Sequence, residues 1–405
     1  MTEPIIVVGA SQAGLQVAES LRADGYDGPL LMIGDEPHPP YQRPPLSKAL
    51  LTGESTEDRL VLRGRDLLAK KNIELVTGVR VEAIERADRR VQLADGRSLA
   101  YRGLALATGG RARALPIPGA DLDGVVTLRT IEDSRRIAAG IAQAQSVAVV
   151  GGGFIGLEIA AAARKAKKPV VVFEALARLL ARSSAPFVSD FFRDVHVASG
   201  VDIRLDTQVA AIDGKGGRAA AVITGDGRAH PADLVVVGVG IVPNGELAEA
   251  SGIACERGIV VDACSRTSDA AVVAAGDCTA RRLADGSLLR LESVQNAIEQ
   301  GKSAAAALVG RERPFTAAPW FWSDQFDVRL QMAGLSAGHD RTVVRGAPAE
   351  RKFSVFYFRD ERLIAVDTVN RAPDHIAARK LLDAGKSPTF AQAQDEGFAL
   401  ASLLR

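Results

Sequence analysis

Cysteine is scarce in this chain. Cys255, Cys264 and Cys278 are the three present in 405 residues. They form neither a Cys-x-x-Cys pair nor a zinc-ligand spacing, which excludes a disulfide framework and suits a reducing compartment. Histidine is scarce too: His38, His196, His230, His339 and His375 show no ligand spacing, so no metal site is expected and each should be a surface or hydrogen-bonded histidine. Excess charge is missing. A formal net charge of +1 gives no global attraction to nucleic acid or to an anionic membrane, so any electrostatic partner site must be local. Long apolar runs are missing as well. The most apolar stretch, Val147 to Ala163, is broken by three consecutive glycines and by Glu158 and reads as a phosphate loop opening a helix rather than a membrane span. Met1-Thr2-Glu3-Pro4 has no basic segment and the first apolar run stops at Gly9, so no signal peptide is expected and the expected location is cytoplasmic.

What is present is a glycine-rich loop that occurs twice. The first follows Ile5-Ile6-Val7-Val8 and runs Gly9-Ala10-Ser11-Gln12-Ala13-Gly14, with Asp35 and Glu36 closing the next apolar run. The second follows Val147-Ala148-Val149-Val150 and runs Gly151-Gly152-Gly153-Phe154-Ile155-Gly156, with Glu174 after Val170-Val171-Val172-Phe173. In such a strand–loop–helix–strand unit the first glycine permits a tight turn, the last lets the helix pack on its strand, and the helix N-terminus offers N–H groups to a pyrophosphate. Ser11 replaces the middle glycine of the first loop. Glu174 would accept hydrogen bonds from an adenosine 2′-hydroxyl and repel a 2′-phosphate, favouring NADH, although Arg178 and Arg182 are close enough in sequence to offset that repulsion. Two complete units imply two dinucleotides, hence electron transfer.

The remaining pattern supports a duplication at domain scale. Leu104-Ala105-Leu106-Ala107-Thr108-Gly109-Gly110 is a buried strand ending in a glycine turn, and Asp233 to Gly240 takes the corresponding place in the second unit. Helices are expected over Ala13–Ala23 and 131–143, and hairpins within Gly78–Leu93 and Gly214–Gly227. Val272-Val273-Ala274-Ala275-Gly276-Asp277 is a further buried strand assigned to the first unit, where Asp277 could accept a hydrogen bond from a polyol. A helix starts near Val294. From about Pro319 the chain changes to Trp320, Phe321, Trp322 and short alternating strands. The expected fold class is α/β: two Rossmann-like dinucleotide-binding domains, one inserted in the other, plus a small α+β C-terminal domain. The expected boundaries are 1–110 with 245–320, 111–244, and 321–405. Glu158, an acid early in an apolar helix, reads either as charge complementing the helix dipole or as a contact to a nicotinamide ribose.

Together, Arg43-Pro44-Pro45-Leu46-Ser47-Lys48, Ala107-Thr108-Gly109-Gly110, Gly151-Gly152-Gly153-Phe154-Ile155-Gly156-Leu157-Glu158, Gly276-Asp277-Cys278 and Pro319-Trp320-Phe321-Trp322-Ser323-Asp324-Gln325 resemble the FAD-dependent pyridine nucleotide-disulfide oxidoreductase superfamily. More narrowly, they resemble the NADH-dependent ferredoxin reductases of bacterial oxygenase systems. The resemblance implies that FAD is bound by the first loop (Gly9, Ser11, Ala13, Gly14), by Asp35 in preference to Glu36, and by Arg43, Lys48, Val81, Ala107, Thr108, Gly109, Arg129, Gly276, Asp277 and Val294. NADH would be bound by Gly151, Gly153, Ile155, Gly156, Glu158 and Glu174. It places Lys48 near flavin N5, paired with Glu158 as the catalytic pair, and has Trp320 or Trp322 screening the ring; for either tryptophan, core packing is the competing reading.

Members with a disulfide or peroxide chemistry carry a reactive cysteine soon after the first unit, and Asp35 to Leu62 holds none here. Cys278 is expected to be buried and inert. The implied reaction passes a hydride from NADH to FAD, then single electrons to a 2Fe-2S ferredoxin feeding a monooxygenase or dioxygenase. Such an acidic partner calls for a local basic patch, with Arg63, Arg65, Arg311, Arg313, Arg341 or Arg345 as candidates. Two other functions fit the same fold: an NADH oxidase or quinone reductase, and a flavin-bound redox-sensing interaction protein related to apoptosis-inducing factors.

Overall fold

A computed structural model describes residues 3–405; Met1 and Thr2, the start of the stretch read above for a signal peptide, lie outside the described residues. The chain divides into two compact units. One comprises residues up to Gln42, Asp58–Arg111 and Val242–Pro319; the other comprises Arg43–Glu57, Ala112–Ile241 and Trp320–Arg405.

The first unit is built on a five-stranded parallel sheet in the order Val272–Ala274, Gly103–Leu106, Ile5–Val8, Leu30–Ile33, Ile73–Val76. Four of its strands are buried along their whole length because both faces are covered, whereas the edge strand Ile73–Val76 exposes Glu74. Ile5 and Val7 face a core shared with Leu15, Ala18 and Leu21 of helix Gln12–Ala23 and with Ala304 and Ala305 of helix Val294–Leu308. Ile6 and Val8 face the opposite core, which takes Val81, Ile84, Val91 and Leu93 from the antiparallel sheet Val81–Glu85, Arg90–Leu93, Ser98–Ala100. The strand Val272–Ala274, remote in sequence, joins the first unit as expected, and it does so by pairing with Gly103–Leu106.

The second unit repeats the plan. Its parallel sheet runs Val201–Arg204, Val170–Phe173, Val147–Val150, Leu234–Val237, Val125–Thr127. The duplication is visible in register. Val8 lies opposite Leu106 and Val150 opposite Val237, so Ala107-Thr108-Gly109 and Gly238-Val239-Gly240 leave their sheets at equivalent points, with Gly109 and Gly240 both at positive φ. Helix Ile131–Gln143 begins with a capping box between Thr130 and Asp133. The segment around Pro44–Ser47 packs in this unit, because Ser134 Oγ donates to the Leu46 carbonyl at 2.8 Å and Arg135 pairs with Glu57 at 2.6 Å.

The C-terminal region is a five-stranded antiparallel sheet in the order Trp320–Gln325, Val328–Gly334, Arg362–Val369, Lys352–Arg359, Arg341–Ala347. Phe356, Phe358 and Val366 form its core with Ala377, Ala378 and Leu381 of helix Ala372–Asp383. Among the described residues, no helix is long and apolar enough to cross a membrane, and no group of three or more metal-ligating side chains is gathered.

Within that sheet Tyr357 donates its hydroxyl to Asp367 Oδ2 at 2.8 Å, both side chains being buried. Burial pushes the Asp367 carboxyl from 3.8 up to about 7, and burial together with Asp367 pushes the Tyr357 hydroxyl up as well. Between those two pH values the folded chain holds a proton that the unfolded chain has lost. Stability therefore falls as pH rises through this window, by about 1.4 kcal/mol per pH step of one, and levels off above it. The substitution Asp367→Asn is expected to flatten that fall and to raise the melting temperature at pH 8 but not at pH 4, as calorimetric melts across this range would register.

Candidate functional site

In the first unit the loop after Ile5–Val8 is held by its glycines. Gly9 has φ +116°, and a Cβ there would lie 2.1 Å from the Ala107 carbonyl oxygen; a Cβ on Gly14 would lie 1.9 Å from the Gly9 oxygen. An L-side chain at Gly9 thus meets backbone strain of about 1–3 kcal/mol in addition to the clash. Ser11 sits at the helix N-cap, yet its hydroxyl makes no capping bond, and the first turn carries no acid. The N–H groups of this helix start are left for an anion. Gly276, also at positive φ, comes against Ala13, with its Cβ position 2.9 Å from the Ala13 Cβ. The elements carrying Gly9, Ala13, Gly14, Ala107 and Gly276 therefore converge. Val81 opens a strand of the adjoining antiparallel sheet, and Val294 opens a helix whose cap is Ser293, accepting from Asn296 N at 3.1 Å.

The two acids after Leu30–Ile33 separate. Glu36 accepts the Tyr41 hydroxyl at 2.5 Å, whereas the Asp35 side chain is 56% exposed and meets the still more exposed Arg80 at 3.2 Å. Thr108 hydrogen-bonds Asn244 twice, its hydroxyl to the Asn244 carbonyl at 2.6 Å and the Asn244 amide to its own carbonyl at 2.9 Å. The Gln300 side chain accepts from Gly276 N at 2.8 Å and from Thr279 Oγ1 at 2.9 Å. Sequence reasoning missed Asn244 and Gln300; the turn signal Pro243-Asn244-Gly245 was the clue to the first. Asp277 is half-buried, and next to it Cys278 is fully buried. Burial pushes its thiol up to about 11, so it holds its proton and is inert.

In the second unit the loop obeys the same rule. A Cβ on Gly151, φ +108°, would lie 2.6 Å from the Gly238 oxygen, and one on Gly156 would lie 2.3 Å from the Gly151 oxygen. Gly153 differs: a Cβ there would meet nothing within 4 Å, and beside it Ile155 is 40% exposed. Here the protein leaves open space over the start of helix Phe154–Lys165. Glu174 lies against the loop, accepting from Gly152 N at 2.7 Å and Leu176 N at 2.8 Å. Arg178 corrects an expectation. Its guanidinium is committed to the carbonyls of Ser184 and Ala181 and to Ser189 Oγ at 2.6–2.8 Å, so it does not offset the charge of Glu174.

The same helix carries Glu158, only 4% exposed. Lys48 Nζ lies 2.7 Å from its Oε2, Ser47 Oγ donates to Oε2 at 2.5 Å, and Ser323 Oγ donates to Oε1 at 2.5 Å. The helix-dipole reading of Glu158 is therefore replaced. This acid is a buried anion with an ammonium and two hydroxyls, the arrangement that offsets its desolvation. The turn Pro44–Ser47 brings Lys48 there, and Arg43 fastens the segment by donating to the Arg129 carbonyl at 2.7 Å. Trp320 and Trp322 are half-buried with ring centroids 5.6 Å apart, and the Arg379 guanidinium sits 4.5 Å from the Trp320 ring. Sequence reasoning missed Ser47 and Ser323 as partners of Glu158, since serine in a loop or strand gives no periodic signal.

Two further expectations need correction. Of the histidines, His196 is buried but keeps to the expectation, its Nε2 hydrogen-bonded with Gln325 Oε1 at 2.8 Å, whereas His375 is buried with no hydrogen-bond partner on either ring nitrogen. Burial, then Arg379 and Arg329, push His375 down to about 4, which keeps it neutral. Among the arginines considered for docking, Arg345 is buried, pairing with Asp374 at 3.4 Å and donating to the carbonyls of Gln392, Asp395, Glu396 and Phe398. It ties down the chain end and is not a surface charge. Arg63 pairs with Glu19, Arg65 bonds Thr77, Arg311 pairs with Asp24 and Arg341 lies over the Phe390 ring, while Arg313 is exposed.

Residues 3–301 match the family described as Pyridine nucleotide-disulphide oxidoreductase, and residues 320–404 match a Reductase C-terminal domain. The chain is 45% identical to rhodocoxin reductase of Rhodococcus erythropolis over 98% of its own length and 93% of that protein. Its fold matches the ferredoxin reductase for the CYP199A2 system from Rhodopseudomonas palustris with a TM-score of 0.96 at 42% identity, covering 99% of each chain. It matches the reductase of the covalent putidaredoxin reductase–putidaredoxin complex with a TM-score of 0.95 at 41% identity, covering 100% of this chain and 98% of that one. With two glycine loops in equivalent register and these likenesses along nearly its whole length, the chain belongs to the pyridine nucleotide-disulphide oxidoreductase family.

Proposed function

We propose that this protein is an NADH-dependent ferredoxin reductase that carries FAD and delivers single electrons to a 2Fe-2S ferredoxin of a monooxygenase or dioxygenase system. The observation that carries the reading is the pair of glycine loops, set at equivalent points of two parallel sheets, in a chain whose relatives are reductases of such systems. In this reading residues 1–110 with 245–320 hold FAD, 111–244 hold NADH, and 321–405 form the C-terminal domain.

A bound flavin supplies the conversion of a two-electron hydride into two single electrons. The rest falls to side chains and backbone. The uncapped helix start after Ser11 holds one pyrophosphate, with Asp35 at a ribose, and Asp277 and the start of helix Val294–Leu308 take the remaining polar contacts. The open space over Gly153 admits the second pyrophosphate. Glu174, already oriented by Gly152 N and Leu176 N, accepts the adenosine hydroxyls and repels a 2′-phosphate. Glu158 holds the Lys48 ammonium in one place, and Trp320 and Trp322 limit access of water. Cys278 holds its proton, so no thiol relay competes for the electrons. The partner ferredoxin, acidic in this reading, would dock by charge.

Stopped-flow reduction of the FAD-loaded protein is expected to be fast with NADH and slow with NADPH, and reoxidation fast with a 2Fe-2S ferredoxin and slow with air. Rapid reoxidation by air with indifference to ferredoxin would make it an oxidase. Because a Cβ at Gly153 meets nothing within 4 Å, Gly153→Val should fold and retain FAD while raising KM for NADH by about tenfold, roughly 1.4 kcal/mol of binding; loss of flavin from this variant would overturn the assignment of 111–244 to NADH. The variant Glu174→Ala should narrow the gap between NADH and NADPH in kcat/KM.

A further inference from the structure

We propose that His196, Gln325 and Ser323 are positioning residues for the Lys48–Glu158 pair, joined to it by a one-directional chain of hydrogen bonds in which the charge on Glu158 sets the tautomer of His196. Its catalytic consequence rests on the reading that Lys48 serves hydride transfer; the chain itself does not.

All three residues are buried, at 0–1% exposure. Ser323 Oγ donates to Glu158 Oε1 at 2.5 Å. A hydroxyl has one proton, so once it is given to the carboxylate the oxygen can only accept. Gln325 Nε2 donates to it at 3.0 Å. The amide must then turn its oxygen to the other side, where it lies 2.8 Å from His196 Nε2. An amide oxygen only accepts, so this ring nitrogen carries hydrogen. His196 Nδ1, buried without a hydrogen-bond partner, is left bare. Burial pushes the His196 pKa down, so the ring stays neutral and chooses between tautomers rather than between charges.

Every donor in the chain points toward the anion, and each bond polarises the next in a low-dielectric interior. Helix Pro186–Ala198, which carries His196, and strand Trp320–Gln325 are thereby coupled to the helix bearing Glu158. The edge contact of Phe326 on the His196 ring, with centroids 5.0 Å apart, fixes the ring plane.

The chain has a definite response to neutralisation. In Glu158→Gln, Lys48 Nζ and Ser47 Oγ both donate to the Oε2 position, so the new amide places its oxygen there and its NH₂ toward Ser323. Ser323 must then donate away from residue 158, to the Gln325 oxygen, and Gln325 NH₂ donates to His196 Nε2. The ring of this variant folds with its single proton on Nδ1.

The test is long-range ¹H–¹⁵N NMR of the FAD-loaded protein labelled at histidine, with His196 assigned by its loss in His196→Gln. The expected result is protonated Nε2 in the wild type and protonated Nδ1 in Glu158→Gln. A bare Nε2 in the wild type, or an unchanged tautomer in a folded Glu158→Gln, would overturn the proposal. Should Glu158→Gln not fold, Ser323→Ala serves instead: without Ser323 the amide is undirected, so the His196 nitrogens should show averaged shifts, and a pure Nε2–H tautomer would refute the chain. A kinetic arm uses ferricyanide as acceptor. His196→Leu should lower kcat about fivefold at nearly constant KM for NADH, with His196→Gln restoring most of it; equal losses in both variants, or an effect on KM alone, would count against positioning. A protein with the expected tautomers that NADH does not reduce would overturn the proposed function while upholding the chain.

Discussion

A carboxylate taken out of water must find donors or lose its charge, and Glu158 finds three within 2.7 Å. These donors come from two segments remote in sequence, the turn Pro44–Ser47 with Lys48 and the strand Trp320–Gln325. Much of the second unit's arrangement follows from meeting that demand. The proline-rich segment is drawn down beside helix Ile131–Gln143, where Ser134 and Arg43 fasten it, and the C-terminal sheet is tied at its first strand to the helix that also opens the second glycine loop. The residues that would receive NADH and the lysine that would assist its reaction are thus set by one rigid helix.

The two glycine loops show how steric necessity and ligand space divide within one motif. Gly9, Gly14, Gly151 and Gly156 are demanded by the protein's own backbone, which approaches closer than any Cβ allows. Gly153 is not: nothing in the protein crowds it. Ser11 in the corresponding place of the first loop is consistent with this division, since a small side chain there offends no internal contact that the fold requires. The electron route is shaped by exclusion in the same way. Cys278 lies beside Asp277 but is buried and protonated, so it adds packing rather than redox chemistry.

Side-chain destinations depend on how far along the chain the partner lies. The helices over 131–143 and from near Val294 were expected, and the structure closes their starts locally, with Thr130 on Asp133 N and Ser293 on Asn296 N. Arg178 and Arg345 look like free cations in the sequence, yet both end on carbonyls of chain turns, because a guanidinium reaches whichever unpaired backbone oxygens the fold presents. His375 failed for a related reason: burial of a lone polar side chain depends on what packs over it, not on its neighbours along the chain.

By itself the sequence determined the alternation of strands and helices, the duplication, both glycine loops and the positions of their acids. These rest on short-range sterics and on apolar periodicity, which act within a few residues. The pairing of Lys48 with Glu158 was expected from the family resemblance and is present at 2.7 Å; only the tertiary structure decided that Glu158 is buried and that Ser323, Gln325 and His196 extend the pairing into the interior. Desolvation sets the energy of such groups, and it depends on where distant parts of the chain return.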